Sequence, residues 1–183
     1  MNEEAVLVPE VADAVGGYRK GHGAPNGIEN ESFRKGLFDC ITKVFQGLGR
    51  GRREAAYQCA LKHELQRSLG LPSMLEYPMP VLYQTERVGV SYVDLLVPKQ
   101  FFVEVKSVAK LSTKDLLQTM AYSRDLQLVG VLVNFAQTRK ASRSFELVFV
   151  EGDSIAHRLM PTTKEVFEQA TGGRDATAGR DDA

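Results

Sequence analysis

A run of seven almost entirely apolar residues, Leu128-Val-Gly-Val-Leu-Val-Asn134, sets the strictest limit on the architecture of this chain. An apolar run of this length without alternation predicts a β-strand that is buried on both faces. A helical pattern precedes the run, and Ser112 or Thr113 provides its N-cap. Because a helix that connects two strands of one sheet makes a crossover, we expect a mixed sheet with helices packed against it.

Two further helices are predicted from the apolar spacing in the first half of the chain. Between Ser32 and Leu48, large apolar residues recur every three or four positions and form one broad face. A second helical pattern runs from about Arg52 to Leu69 and carries Glu54 in its first turn. The folded region is therefore expected to begin with a pair of helices.

From Met79 the apolar pattern changes to a period near two, which is typical of strands. Short turn-like segments separate the first three strands, so these are expected to be antiparallel. The predicted strands cover residues 79–84, 88–97, 101–106 and 145–150, and a last helix is predicted near 162–170. Together these elements predict an α/β (α+β) fold in which helices flank a mixed central sheet.

Charge is distributed unevenly along the chain, although its 23 basic and 23 acidic residues balance. Residues 1–31 and 151–183 are acidic, whereas residues 32–150 hold 17 bases and 10 acids, a net charge of +7 that suits a polyanion such as nucleic acid. Both ends are rich in small or polar residues that cannot anchor a packed element. We therefore expect a flexible acidic segment over 1–31, one folded domain over 32–170 and a disordered tail over 171–183.

The sequence also indicates where the protein is located. No apolar stretch is long enough to cross a bilayer, and the N-terminus lacks the pattern of a secretory signal. We expect an intracellular protein that does not bind membranes, in the cytoplasm or nucleoid, or in the nucleus if the source is eukaryotic or viral. Cys40 and Cys59 are the only cysteines, and both are predicted to be buried thiols on helices.

Three ionisable side chains on two neighbouring strands form the leading candidate for a functional site. Asp94 lies near the end of one predicted strand, and Glu104 and Lys106 are two apart on the next strand, hence on one face. A tight turn at 98–100 would bring Asp94 close to Glu104. Converging carboxylates suit a divalent cation such as Mg²⁺, and the amine can act on water or phosphate. The spacing fits an ordinary surface ion pair equally well, so the residues alone leave both interpretations open.

Several short motifs in this chain resemble the GxxExxY protein family, a branch of the PD-(D/E)XK nuclease superfamily. In chain order they are Gly51-Arg-Arg-Glu54-Ala-Ala-Tyr57, Asp94, Glu104-Val-Lys106, Gln118-Thr-Met-Ala-Tyr122 and Asn134-Phe135. The resemblance covers about residues 33–150 and implies a restriction-endonuclease-like core. Val93 stands where the superfamily pattern has Pro, at a position that is not a ligand.

The resemblance implies catalytic and metal-binding roles for matching positions. Lys106 is implied as the residue that activates water, and Gln118 as the residue that positions water or phosphate. Mg²⁺ or Mn²⁺ is the implied cofactor. Its implied ligands are three carboxylates and one backbone carbonyl, those of Glu54, Asp94, Glu104 and Val105.

A basic run, Arg50-Gly-Arg-Arg53, directly precedes the helix that begins near Glu54. Guanidinium groups match the oxygens of phosphate, so Arg50, Arg52 and Arg53 are interpreted as a phosphate clamp, with a solvated helix start as the alternative. The resemblance, including a Q-x-x-x-Y motif like that of RecB-like members, adds three contacts to nucleic acid, at Tyr57, Gln118 and Tyr122.

These observations predict a divalent-metal-dependent nuclease that hydrolyses phosphodiester bonds, with DNA preferred over RNA. One alternative is a catalytically inactive nucleic-acid-binding or assembly module of the same fold. Another is a nuclease that is active only within a larger nucleic-acid-processing complex, and a homodimer is also compatible with the sequence. A test of metal-dependent cleavage separates the first prediction from its alternatives.

Overall fold

The computed structural model describes residues 30–136, 144–161 and 165. The helices of this part are α1 (Glu31–Leu48), α2 (Glu54–Leu69) and α3 (Thr113–Leu126). The strands are β1 (Met74–Tyr83), β2 (Glu86–Val97), β3 (Phe101–Lys106), β4 (Val129–Asn134), β5 (Glu146–Glu151) and β6 (Ser154–Leu159). Helix α3 lies between β3 and β4 in the chain, and α1 and α2 precede the first strand.

The strands form a six-stranded sheet in the order β1-β2-β3-β4-β5-β6. Neighbouring strands are antiparallel except β3 and β4, which run parallel. Helix α3 makes the connection between these two, because parallel neighbours require a crossover. The predicted mixed sheet flanked by helices is therefore confirmed.

Both faces of the central strands are buried. Val103 of β3 and Val131 of β4 belong to a core cluster with apolar residues of α1 and α2. Leu132 of β4 belongs instead to a cluster against which Leu116 and Met120 of α3 pack. Because side chains alternate across a strand, α1 and α2 cover one face of the sheet and α3 covers the other. This sandwiching explains why the sequence of β4 is apolar at almost every position.

Gly130 is the point on β4 where α3 comes closest to the sheet. A Cβ atom at this position would lie 2.6 Å from Phe102 Cζ and 2.8 Å from Thr119 Cγ2, on β3 and α3. We therefore expect Gly130→Ala to lower the free energy of unfolding by about 1–3 kcal/mol, since the helix must move away from the sheet. Urea denaturation measures the change.

Gly47 provides a matched control for this substitution. It is exposed on α1, and a Cβ there would meet nothing within 4 Å. Gly47→Ala should therefore raise the free energy of unfolding by about 0.5–1 kcal/mol, as expected for a glycine replaced within a helix. Equal stability of Gly130→Ala and the wild type would contradict the close packing of α3.

The structure differs from the predicted elements at both edges of the sheet. Strand β1 begins at Met74 rather than Met79, and Pro78 and Pro80 lie within it. Prolines are tolerated because β1 is an edge strand and pairs only with β2. The opposite edge strand, β6, was not predicted, because all six of its residues are exposed and give no apolar alternation.

Other predictions concern single residues or the ends of the chain. Cys40 is buried as predicted, but the prediction for Cys59 is wrong, because this thiol lies on the exposed side of α2. The predicted helix near 162–170, apart from residue 165, the tail 171–183 and residues 1–29 lie outside the described residues. In the described part of the chain, no helix is long and apolar enough to cross a membrane.

Candidate active site

Two carboxylates occupy a gap that opens where β2 and β3 separate. The paired positions of these strands cover only Leu95–Val97 and Phe101–Val103. Beyond them, the backbone N–H of Asp94 donates to Glu104 Oε1 (3.3 Å), and the backbone N–H of Val105 donates to Asp94 Oδ2 (2.7 Å). Each carboxylate thus accepts a backbone bond from the opposite strand, and the structure brings Asp94 and Glu104 together.

Lys106 lies beside this pair. Its Nζ is 3.8 Å from Glu104 Oε2, and the side chains of Lys106 and Glu104 are only 17% and 2% exposed. Both side chains lie on one face of β3, as the spacing of two predicts. The interpretation as an ordinary surface ion pair is therefore wrong, because both groups are largely withdrawn from water.

Burial also changes the pKa values of the two carboxyl groups, those of Asp94 and Glu104. Burial raises the pKa of Glu104 to about 8, the Asp94 charge adds to the effect, and the Lys106 ammonium opposes it. Burial also raises the pKa of Asp94, against the hydrogen bond from Val105 N–H and the charge of Lys106. Adjacent buried carboxylates are costly unless a proton or a cation compensates them. The gap between β2 and β3 is therefore a place where positive charge is stabilised.

Glu54 connects the first turn of α2 to the end of β3. Its Oε1 accepts from the backbone N–H of Ser107 (2.9 Å), and Ser107 Oγ donates to the Arg52 carbonyl (3.0 Å). Glu54 thus lies at the end of β3 that carries Lys106, bound to the backbone one residue further along. Across residues 30–136 and 144–161, no three His, Cys, Asp or Glu side chains form a ready-made metal-binding group. The implied ligand set is therefore only partly assembled, with Asp94 and Glu104 adjacent.

Tyr57 determines the conformation of the loop that leads into α2. Its hydroxyl donates to the Gly49 carbonyl (2.7 Å) and accepts from the Arg52 N–H (3.3 Å), while its ring stacks on Phe135 with centroids 4.2 Å apart. Gly51 in this loop has a φ of 78°, a conformation that favours glycine. Because Tyr57 is 0% exposed, the implied contact of its side chain with nucleic acid is wrong. Its side chain instead orients the backbone that precedes Glu54.

This role of Tyr57 can be tested by removing only its hydroxyl. Tyr57→Phe keeps the stacked ring but leaves the Gly49 carbonyl without that donor, so we expect the free energy of unfolding to fall by about 1–2 kcal/mol. Tyr83→Phe is the control, because Tyr83 is 68% exposed and should change stability negligibly. Equal stabilities of the two variants in urea denaturation would contradict the loop-anchoring role.

The three arginines before α2 have different surroundings. The Arg50 guanidinium packs over the Phe45 ring, 5.3 Å from its centroid, and Arg52 Nε donates to the Leu48 carbonyl (3.3 Å). Arg53 is the exposed N-cap residue of α2 and makes no side-chain capping bond. Of the three arginines predicted to form a phosphate clamp, Arg52 and Arg53 are therefore the exposed ones.

The two residues of the Q-x-x-x-Y motif, Gln118 and Tyr122, lie on α3, the helix that covers one face of the sheet. Gln118 Nε2 donates to the Tyr122 hydroxyl (2.9 Å), and Tyr122 is 8% exposed while Gln118 is more open. Against the effect of burial, hydrogen bonds from Ser112 and the charge of Lys106 lower the pKa of Asp115 in the first turn of this helix. The N-terminal part of α3 is thus electrostatically coupled to Lys106.

Two polar residues at the site were missed in the sequence. Gln58 of α2 donates a side-chain hydrogen bond to Asp94, and the Glu76 charge raises the pKa values of both Asp94 and Glu104. Gln58 follows Glu54 by four residues, so helical spacing could have identified it. Glu76 lies opposite Asp94, between paired positions of β1 and β2, and would have been found if β1 had been extended to Met74.

A family model for the PD-(D/E)XK nuclease superfamily matches residues 31–145, which is more than half of the chain. The chain belongs to the PD-(D/E)XK nuclease superfamily. The matched range contains both helices that precede the sheet and the whole Asp94, Glu104 and Lys106 cluster. Membership of the superfamily indicates a nuclease-type function with nucleic acid as substrate. No curated protein and no solved structure gives a significant match.

Superfamily members typically use divalent metal ions, and the residues at this site fit such an ion. Asp94 and Glu104 offer two neighbouring carboxylates whose pKa values are raised, chiefly by burial. The Val105 carbonyl lies on the same edge of β3 as the Val105 N–H, which faces Asp94. Mg²⁺ prefers such oxygen donors and takes one or two carboxylates, with water and phosphate completing its coordination.

Proposed function

We propose that this protein is a Mg²⁺- or Mn²⁺-dependent nuclease that hydrolyses phosphodiester bonds in nucleic acid, DNA in preference to RNA. The observation that carries the proposal is the pair formed by half-buried Asp94 and buried Glu104, with Lys106 Nζ 3.8 Å from Glu104 Oε2, in a chain of the PD-(D/E)XK superfamily. The residues that flank Asp94 and Glu104 in β2 and β3 are apolar. Packing of the sheet therefore gives no reason to place charges at these two positions.

Each residue of the site has a chemical role in this proposal. Asp94, Glu104 and the Val105 carbonyl would hold the cation, with Glu54 supplementing them. When bound, the cation supplies charge that polarises the phosphate and activates water. As an ammonium, Lys106 would donate a hydrogen bond to the attacking water, stabilise the hydroxide formed when that water loses a proton to solvent, and offset the negative charge that grows on phosphorus. Gln118 positions water or phosphate, and its bond to the Tyr122 hydroxyl orients its amide.

Nucleic acid would be recognised mainly through its phosphates. The net charge of +7 over residues 32–150 favours a polyanion, and the exposed Arg52 and Arg53 lie at the helix start next to Glu54. Arg50 would contribute to the same clamp from its position over Phe45. Such an enzyme would act where the cell's nucleic acid is found, in the cytoplasm or nucleoid.

The chain is further proposed to belong to the GxxExxY branch of the superfamily, near its RecB-like members. The signature residues have distinct structural uses that support this assignment. Gly51 has a positive φ, Glu54 binds the end of β3, and Tyr57 fastens the loop between them. Gln118 and Tyr122 are hydrogen-bonded one helical turn apart.

Cleavage of a panel of nucleic acids tests the proposal. The purified protein is incubated with single- and double-stranded DNA and RNA in Mg²⁺, in Mn²⁺ and in EDTA. We expect cleavage that requires the cation and is lost in Asp94→Asn. Binding without cleavage of any substrate would overturn the proposal in favour of an inactive binding module. Cleavage that appears only with a co-purified partner would identify an enzyme that works within a complex.

A further inference from the structure

A cavity of about 390 Å³ lies beside the proposed active site, at the ends of β3 and β4 that carry Lys106 and Asn134. Four of its lining residues are polar or charged (Lys110, Asn134, Glu146 and Arg158), and the other four are apolar. This volume lies within the range of roughly 300–1,000 Å³ that is typical of small-molecule sites. The cavity is therefore large enough for one nucleotide and too small for a duplex.

The cavity continues a polar row that begins at Lys106. Lys106 is directly paired with Asn134 across β3 and β4, and Asn134 is paired with Glu146 across β4 and β5. Arg158 of β6 donates to Glu146. Paired residues share a face of the sheet, and neighbouring strands lie about 4.8 Å apart. Asn134, which lines the cavity, therefore lies one strand spacing from Lys106, the proposed catalytic residue.

Asn134 is the feature of this row that points to a ligand. Its side chain is only 2% exposed, and its Oδ1 accepts from the Val108 N–H (3.0 Å). The residue lines the cavity, and because Oδ1 is taken up by Val108, the Nδ2 donors are the part of the amide that remains for a ligand in the cavity. Without a ligand, these donors can bond only to water in the cavity. An acceptor brought by a ligand would satisfy them.

We propose that this cavity is a subsite for the nucleotide that adjoins the scissile phosphate, a proposal that rests on the proposed nuclease function. The base packs against the apolar wall formed by residues such as Ala136 and Met160, and an acceptor on its edge receives a bond from Asn134 Nδ2. Exposed Lys110 meets a phosphate of the same strand. Every base carries such an acceptor, so the subsite binds nucleotides with little sequence preference.

Binding of single nucleotides tests the subsite without any need for cleavage. The four deoxynucleoside 5′-monophosphates are titrated separately, in EDTA, into ¹⁵N-labelled protein. We expect shifts of the Ala109, Lys110 and Ala136 amides and of the Asn134 side-chain amide. Asn134→Asp keeps an acceptor for Val108 but loses the donor, and with Lys110→Ala it should weaken binding about tenfold. Lys62→Ala, an exposed lysine on α2, is the control and should bind as the wild type does.

A second measurement ties the subsite to the substrate. Oligonucleotides with an abasic position on either side of the cut should be cleaved by the wild type with a kcat/KM about tenfold lower than that for the intact strand. In both subsite variants, the ratio of kcat/KM for the intact strand to kcat/KM for the abasic strand should be smaller. Absence of nucleotide-induced shifts, or an unchanged ratio in the variants, would overturn the subsite even if cleavage is robust. Nucleotide binding in a protein that cuts nothing would instead overturn the nuclease proposal alone.

Discussion

Replacing Lys106 by alanine is expected to reduce metal-dependent cleavage about a thousandfold while the fold is retained. The Lys106 ammonium is largely buried and lies 3.8 Å from Glu104 Oε2, so the alanine variant loses the positive charge beside this carboxylate. In the proposed mechanism, the positive charge of Lys106 lies close to the reacting phosphate while negative charge grows on phosphorus. Initial rates on the best substrate of the panel, at saturating Mg²⁺, give the measured ratio.

Two comparisons separate this catalytic effect from a structural one. Lys106→Met keeps the aliphatic part of the side chain and should be equally inactive, whereas the exposed Lys62→Ala should retain full activity. Both Lys106 variants should still unfold in one cooperative transition in urea. Cleavage by Lys106→Ala within a few-fold of the wild-type rate would remove Lys106 from the proposed mechanism.

In the absence of divalent cations, the protein is expected to become less stable as the pH rises from about 5 to 8. Burial raises the pKa of Glu104 from 4.5 to about 8, so in this window the folded state retains a proton that the unfolded state has released. The stabilisation by this proton is therefore complete below the pKa of Glu104 in the unfolded state. It is lost as the pH rises through the pKa of Glu104 in the folded state. Asp94 has a pKa shift in the same direction and adds to the loss.

Glu104→Gln is expected to abolish most of this pH dependence. The amide cannot ionise, so the variant should be more stable than the wild type at pH 8 by about 2 kcal/mol or more, since each unit of pKa shift is worth about 1.4 kcal/mol. Addition of Mg²⁺ at pH 8 should stabilise the wild type and have little effect on the variant. Urea denaturation at several pH values, with and without EDTA, measures both effects.

The control for this experiment is Glu86→Gln, because Glu86 is an exposed glutamate at the start of β2. It should leave the pH dependence unchanged. A wild-type protein whose stability is constant between pH 5 and 8 in EDTA would mean that the carboxylates at the site are hydrated or compensated in another way.

The central strands were predictable because their burial leaves a local trace in the sequence. Strand β3 has the predicted bounds, Phe101–Lys106, and β4 differs from the predicted run only in beginning at Val129. Ser112, one of the two predicted N-caps of α3, makes a capping box with Asp115. Each of these signals depends on residues a few positions apart, which local geometry alone can interpret.

The edge strands left no comparable signal. The residues of β6 are all exposed and so are not constrained to be apolar, and the first residues of β1 precede two prolines that usually interrupt strands. The missed part of β1 explains why Glu76 was not placed beside Asp94. An error in one strand boundary therefore removed a charged residue from the candidate site.

The sequence by itself determined the periodicities, and hence most of the elements, together with the spacing that sets Glu104 and Lys106 on one face of β3. Only the tertiary structure decided which polar groups lose contact with water, because burial depends on segments that are distant in the chain. It showed Tyr57 to be a buried loop anchor, and it brought Gln58, Glu76 and Asp94 together from a helix and two strands. The same packing raises the pKa of Glu104 and leaves the amide of Asn134 facing a cavity, two properties that no local pattern carries.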